Sequence, residues 1–353
     1  MRKRENGFSL VELIMALGIT MLVLAAAITF FAVSVNQYKT QTKIIASNIE
    51  GVIGLELLRR DIENMGFGLP WNNLPAYPER TGVSADLLLL NDSGNAPRAI
   101  IGIADAAFTT NNSDFFGIKS IKAGIRPAAG KWTLLNYSGD KRIWSPASEN
   151  LENTDYVIVL SIGSADANRR WLVNPGSFYT LYSNTAAYVP DDLYATNVVY
   201  GIGDEVPVRP FNRADYFIDN TSSALQCAPE TGTLVKGIVN HNTTGSLTLL
   251  PLLDCVADMK VVYGLDDDAD RQVDTWWPVL PNTMTAADIR ARLVEVRVSI
   301  LAHEGKKDDS FQYPEEKIFV GSEGIGRFVD VGTRKNYRWK VYNLAVKPLG
   351  LAQ

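Results

Sequence analysis

From Phe8 to Val35 the chain carries one charged side chain, Glu12, in an otherwise apolar run, and Arg2, Lys3 and Arg4 precede it. About 20 such residues suffice to cross a bilayer as a helix. The basic leader predicts an N-terminus on the cytoplasmic side, with the remainder of the chain exported. Glu12 is the odd residue. A carboxylate in a membrane helix costs on the order of 2.5–3.5 kcal/mol at the bilayer centre, so it calls for a partner. An ordinary signal peptide cut near Ala25-Ala26-Ala27 would share the basic start and the apolar centre. The run continues past that point through Val33, however, and a signal-peptide core has no use for Glu12.

At these residues a family resemblance becomes specific. Gly7-Phe8-Ser9-Leu10-Val11-Glu12 resembles the cleavage and methylation motif of type IV prepilins and of type II secretion pseudopilins. The resemblance implies that a prepilin peptidase cuts between Gly7 and Phe8 and methylates the new terminus at Phe8. It also implies that Glu12 pairs with the terminal amine of a neighbouring subunit during assembly. The physics agrees, since a buried carboxylate and a buried ammonium are each costly alone and offset one another only when subunits stack in register.

Beyond the apolar run no proline occurs up to Asn64, and Ile44, Ile45, Ile49, Val52, Ile53, Leu57, Leu58 and Ile62 recur at helical spacings. Gly51 and Gly54 weaken this helix by up to ~1 kcal/mol each without ending it. Met65-Gly66-Phe67-Gly68-Leu69-Pro70 is the stop signal. Phe8 to Asn64 therefore predicts a helix about 85 Å long, straighter for its lack of proline. Leu58-Arg59-Arg60-Asp61-Ile62-Glu63-Asn64-Met65-Gly66-Phe67 resembles the helix exit of W-type minor pilins and J-type minor pseudopilins. For stability alone, the arginines and Asp61 read as solvated helix-end charges.

After Pro70, short apolar runs broken by Gly, Asn, Asp and Pro predict a β-rich head with long loops. Strands are expected at Asp86 to Asn91, at Tyr156 to Ile162 (buried on both faces), at Leu247 to Leu253, at Asp258 to Tyr263 and at Tyr337 to Tyr342. Val294, Val296, Val298 and Ile300 alternate with polar residues as a half-buried strand, and Thr285-Ala286-Ala287-Asp288 reads as a capping box before it. The helix-then-strand order near the C-terminus, closing on Asn343 to Leu349, also resembles the W-type family. The fold class expected is α+β and pilin-like: leader 1–7, membrane and assembly helix 8–35, extramembrane helix 36–69, β-rich head 70–353. Residues 90–240 resemble no known segment.

Two cysteines, Cys227 and Cys255, lie in the exported part. An even number in an oxidising compartment points to one disulfide, worth roughly 3–4 kcal/mol for a loop of that length, against two free buried thiols. Asp266, Asp268, Asp270 and Asp274 fall at positions 1, 3, 5 and 9 of a calcium loop, where alternate side chains turn onto one hard cation. Arg271 stands where that loop wants glycine, and position 12 is Trp277 rather than glutamate. The bland reading is a solvated acidic turn partly neutralised by Arg271.

The net charge of −5 gives no support to a nucleic-acid partner. His241 and His303 are the only histidines, with no metal-ligand spacing, and no nucleophile elbow or phosphate loop occurs. No enzyme is expected. Trp132, Trp144, Trp171, Tyr179 and Tyr182 read as core before they read as a sticky surface. The resemblance implies a minor type IV pilin in the inner membrane and at the pilus tip. Its partners would be other minor pilins, the major pilin, the prepilin peptidase and the assembly platform. A minor pseudopilin of a type II secretion system and a pilus-tip adhesin are the alternatives.

Overall fold

The structure is a computed structural model that describes residues 9–162, 169–174, 176–221 and 226–351. The chain divides into two units, Met1–Ile49 and Glu50–Gln353. The first is helical from Leu10 onward, as part of α1 (Leu10–Glu63). Within it Leu10–Ala32 is long and apolar enough to cross a membrane, with mean hydropathy 2.5, and its large apolar side chains are exposed.

The second unit begins with the last turns of α1 and is otherwise β-rich. One antiparallel sheet runs, in spatial order, β1 (Ile100–Ile103), β2 (Phe115–Ser120), β8 (Asn212–Asp219), β9 (Gly232–Val239), β10 (Leu247–Leu265), β12 (Leu293–Glu304) and β15 (Arg338–Val346). A short β11 (Thr275–Trp277) pairs with β10 beside that path. A second antiparallel sheet orders β3 (Trp132–Asn136), β7 (Thr196–Gly203), β4 (Tyr156–Ile162) and β5 (Arg169–Leu172), with β6 (Thr180–Leu181) on β4. A hairpin of β13 (Lys317–Ser322) and β14 (Ile325–Asp330) completes the strands among the described residues.

The main core lies where the end of α1 meets both sheets. Leu58 and Ile62 of α1, Phe116 and Tyr216 of the first sheet and Ile158, Leu160 and Val198 of the second share one cluster. β4 is buried on both faces, as its sequence predicts. Ile158 and Leu160 enter this core, whereas Val157 and Val159 enter a smaller one with Leu135 and Val199. Residues 90–240 thus supply the second sheet and four strands of the first.

The buried face of α1 keeps only part of the expected stripe, and the side chains of Ile44, Ile45 and Ile49 lie outside the described ones. Leu55, Leu58 and Ile62 are buried, with Gly51 and Gly54 on the same side, whereas Val52, Ile53 and Leu57 are exposed. At Gly54 the helix meets the Leu252 backbone of β10, and at Gly51 the Leu253 side chain. They permit contact rather than merely weakening the helix. The helix ends as expected: Gly66 takes φ +81°, a conformation that favours glycine after a helix.

Asp86 to Asn91 is not a strand. Helix α2 (Ala85–Leu88) and a turn occupy it. Leu87 and Leu90, three residues apart, pack with Ile101 and Phe115, and Leu88 and Leu89 face outward. That spacing suits a helical turn, whereas a strand would place Leu87 and Leu89 on one face. Leu247 to Leu253 and Asp258 to Tyr263 are one strand of 19 residues, not two. Its register shifts against β9 around Leu253, and Cys255 takes φ +57°, so a bulge lies between the two expected segments.

The capping box at Thr285 forms as predicted and opens α3 (Ala286–Arg292). β12 is half-buried only at its start. From Val298 to His303 both faces are covered, because Ile300 and Ala302 enter the main core and Leu301 packs under the β13–β14 hairpin against Ile318 and Val320. β15 extends the strand expected at Tyr337 to Tyr342 as far as Val346.

Candidate functional site

Gly7 and Phe8 lie outside the described residues. Glu12 stands in the first turn of α1, where its Oε2 accepts the Ser9 backbone N–H at 3.0 Å. Ser9 Oγ accepts from the Val11 N–H at 3.4 Å. Ser9 and Glu12 are spaced as in a capping box, with the carboxylate satisfying an amide that the helix start leaves free. Within one chain, Glu12 therefore has a local partner.

At the other end of α1, Asp61 is not a solvated charge. Its Oδ2 lies 2.6 Å from Lys236 Nζ on β9 and accepts a short hydrogen bond from the Tyr216 hydroxyl on β8. Burial, and then the Asp61 carboxylate, push the Tyr216 phenol well above its usual value, so the hydroxyl keeps its proton and donates. Arg59 does behave as expected and bridges Glu56 and Glu63 along the helix surface. Sequence offered no pairing signal for Asp61, because both of its partners lie more than a hundred residues away. Lys236 sits in an apolar strand whose side chains are all buried, and that is the one clue to it.

A second group of charges is buried beneath residues 79–98. Arg213 of β8 bonds Glu79 Oε2 at 2.8 Å and Asp215 at 2.7 Å, and Lys119 of β2 bonds Glu79 at 3.0 Å and Asp92 at 2.6 Å. Burial raises the carboxyls of Glu79 and Asp92, but Lys119 and its neighbours outweigh it and hold both below the ordinary range. This network ties the 79–92 segment to the sheet. Charged residues alternating with apolar ones in β8 are its only sequence signal.

Cys227 and Cys255 form a disulfide with Cα atoms 4.9 Å apart. Beside it His303 Nε2 accepts the Ala228 N–H at 2.8 Å, and the imidazole packs on Tyr337 and Trp339. Burial holds His303 down to about 4, so it is a neutral acceptor at neutral pH. His241 Nδ1 accepts the Val208 N–H at 3.3 Å, and burial lowers it to about 3. Both imidazoles are occupied in holding backbone. The aromatics divide: Trp132, Trp144, Tyr179 and Tyr182 are half-buried and Trp171 is exposed.

The aspartate loop follows β10. One oxygen each from Asp266, Asp268 and Asp274 lie within 4.8 Å of one another. Asp266 accepts the N–H groups of Asp268, Ala269 and Arg271 at 3.1, 2.6 and 2.7 Å. Desolvation raises its carboxyl, but those amides outweigh it and hold the group below its ordinary value. Asp268 accepts the Asp270 N–H, which lowers it, yet repulsion from Asp270, Asp274 and Asp266 leaves it raised. Asp270 is not brought into the trio and bonds Gln272 instead, at 2.7 Å. Arg271 takes φ +66°, the left-handed conformation for which a calcium loop uses glycine. Three carboxylates thus fit a hard cation in charge and position, while Asp266 already has much of its accepting capacity in use.

Two comparisons bear on identity. The family described as prokaryotic N-terminal methylation motif matches residues 2–28, and the family described as type IV pilus-assembly protein W matches residues 215–347. The chain is type IV pilin-like and PilW-like. The second match runs from β8 to the end of β15, which includes the disulfide, the aspartate loop, α3 and the hairpin. No curated protein and no solved structure matches the chain. A minor-pilin-like role in a type IV pilus is supported by the pair of matches. The motif and the apolar helix fit a membrane-anchored pilus component, one that meets other pilus subunits and a prepilin peptidase.

Proposed function

We propose that this PilW-like protein is a minor type IV pilin, held in the bacterial inner membrane with its head exported. It joins other minor pilins in the complex that primes the filament and then caps it. The observation that carries this reading is the presence, in one chain, of the methylation motif over residues 2–28 and the pilus-assembly region over residues 215–347. Gly7 and Phe8 serve processing. Glu12 serves docking, exchanging its bond to the Ser9 N–H for the methylated amine of a neighbouring subunit. That exchange keeps the carboxylate partnered before and after assembly, which a lipid environment demands.

The role is structural rather than catalytic. Its support is that both histidines are buried acceptors of backbone N–H groups. Calcium at Asp266, Asp268 and Asp274 is an accessory part of the same reading, supported by the mutual repulsion that raises Asp268.

Mass spectrometry of the native N-terminal peptide, from sheared fibres and from membranes separately, tests the proposal. The expected peptide begins at N-methylated Phe8 and occurs in both fractions. One beginning at Ile28 would mean a conventionally secreted protein, and one beginning at Met1 a plain anchor. Either would end the assembly mechanism.

A further inference from the structure

A groove of about 770 Å³ opens beside the end of α1, between Leu57, Arg60 and Asn64 on one wall and Ile125, Trp132 and Leu250 on the other. Ile53, Leu57, Arg60 and Asn64 follow one another at spacings of four, three and four, so they form a single helix face leading into it. Ile53, Leu57 and Arg60 are exposed, and so is Ile125 across the groove. The lining is therefore largely apolar, with Arg60, Lys122 and Lys131 as cations and the exposed Glu149 as an acid elsewhere on the rim.

Two of those cations lack a carboxylate among the described residues. Lys122 Nζ reaches only Asn64 Oδ1, at 2.9 Å, and lies over the Phe67 ring. Arg60 stands close enough to depress the Lys122 ammonium further, after burial has lowered it. Asp61 does not answer them, because its carboxylate is taken by Lys236 and Tyr216. An anionic group entering between Arg60 and Lys122 would relieve a repulsion that the fold leaves standing.

A glycan fits the site poorly. Trp144 has the Arg142 guanidinium 4.3 Å from its ring and the Trp132 ring 4.7 Å away, so the stacking faces are already engaged. An apolar wall with unanswered positive charge suits a protein segment that alternates aliphatic side chains with carboxylates.

We propose that this groove docks an amphipathic helix of another pilus subunit, its apolar face on Ile53, Leu57 and Ile125 and a carboxylate between Arg60 and Lys122. The proposal rests on the minor-pilin reading for the class of partner. It adds the surface, the charge rule and the residues that enforce it.

The test places a photocrosslinker in the full chain in its native cells, by Leu57→p-benzoylphenylalanine, and maps the adduct by mass spectrometry. The expected adduct joins position 57 to an acidic, aliphatic stretch of a different pilus subunit. Adding Arg60→Glu and Lys122→Glu should cut its yield by about tenfold, while Arg60→Lys should preserve it. A thermal melt of each variant confirms that the head is folded. An adduct indifferent to the charge reversals, an adduct with a second copy of this chain, or no protein adduct would each overturn the proposal. The N-methylated Phe8 peptide, sought in the same cells, reports separately on the minor-pilin reading. A matured, fibre-borne protein with no charge-dependent adduct would sink only the docking.

Discussion

Gly54 of α1 faces the Leu252 carbonyl of β10 so closely that a methyl group added there would sit 1.8 Å from the oxygen. At Gly51 the nearest obstacle is instead the Leu253 side-chain tip, at 2.9 Å. Backbone does not step aside as a leucine methyl does. Gly54→Ala is therefore expected to cost about 1–3 kcal/mol of head stability from overpacking, and Gly51→Ala appreciably less. Urea unfolding of the detergent-solubilised chain, followed by tryptophan fluorescence, measures both. Equal effects at the two positions would mean that helix propensity, not the approach of β10, decides these glycines.

The Asp61–Lys236 pair is nearly closed off from water, with 12% and 9% of the two side chains exposed. Removing one partner leaves a charge without compensation, so Asp61→Ala should destabilise the head by about 3–5 kcal/mol. The double variant Asp61→Leu with Lys236→Met should recover much of that loss, because it buries no unpaired charge. The same urea experiment decides the matter. An Asp61→Ala protein as stable as the parent would return Asp61 to the class of solvated helix-end charges.

The buried histidines set the acid behaviour. His303 is held at about 4 and His241 at about 3, chiefly by burial, whereas the unfolded chain titrates them near 6.5. Below that value the unfolded state binds more protons than the native one, so stability falls as the pH falls from about 6.5 towards 4. The slope contributed by each histidine approaches ~1.4 kcal/mol per pH unit in that window. Glu79 and Asp92, held low in the folded state, add their loss only at more acid pH, as protons reach the folded carboxyls. Urea midpoints taken at pH about 7, 6 and 5 should drop in sequence. A flat profile there would contradict neutral, buried imidazoles.

At the aspartate loop the two oxygen-bearing roles separate. Asp266 organises the turn through three backbone N–H groups, whereas Asp268 and Asp274 accept one each, from Asp270 and Asp267, and Asp274 repels Asp268. Calcium is expected to raise the melting temperature of the parent chain, and Asp268→Asn with Asp274→Asn should abolish that rise while leaving the metal-free melt nearly unchanged. Asp266→Ala should lower the melt even without calcium, by the loss of about 1–3 kcal/mol of satisfied amide bonds. Titration calorimetry with calcium that shows no heat would reduce the loop to an acidic turn.

Local signals were legible where neighbours in sequence decide the outcome. The capping box at Thr285, the glycine-bearing helix stop at Gly66 and the doubly buried strand Tyr156–Ile162 all follow from residues within a few positions of one another. The leucines of 87–90 misled because an apolar run of that length serves a strand or a helical turn equally well, and only the packing of Leu87 and Leu90 on Ile101 and Phe115 separates the two. Of the candidate site, the cysteine pair and three of the four aspartates came together. Asp270 did not, because the turn gives its carboxylate to Gln272.

By itself the sequence determined the apolar N-terminal helix, its single carboxylate and the resemblance that Gly7 to Glu12 carries, because hydropathy and a short motif need no distant partner to be read. Only the tertiary structure decided which face of α1 is buried, that Asp61 is locked to Lys236 and Tyr216, and that Arg60 and Lys122 line one groove with no ion-pair partner among the described residues. Those facts depend on where β8, β9 and β10 lie against the helix. Long-range register of that kind leaves no periodic trace in the chain.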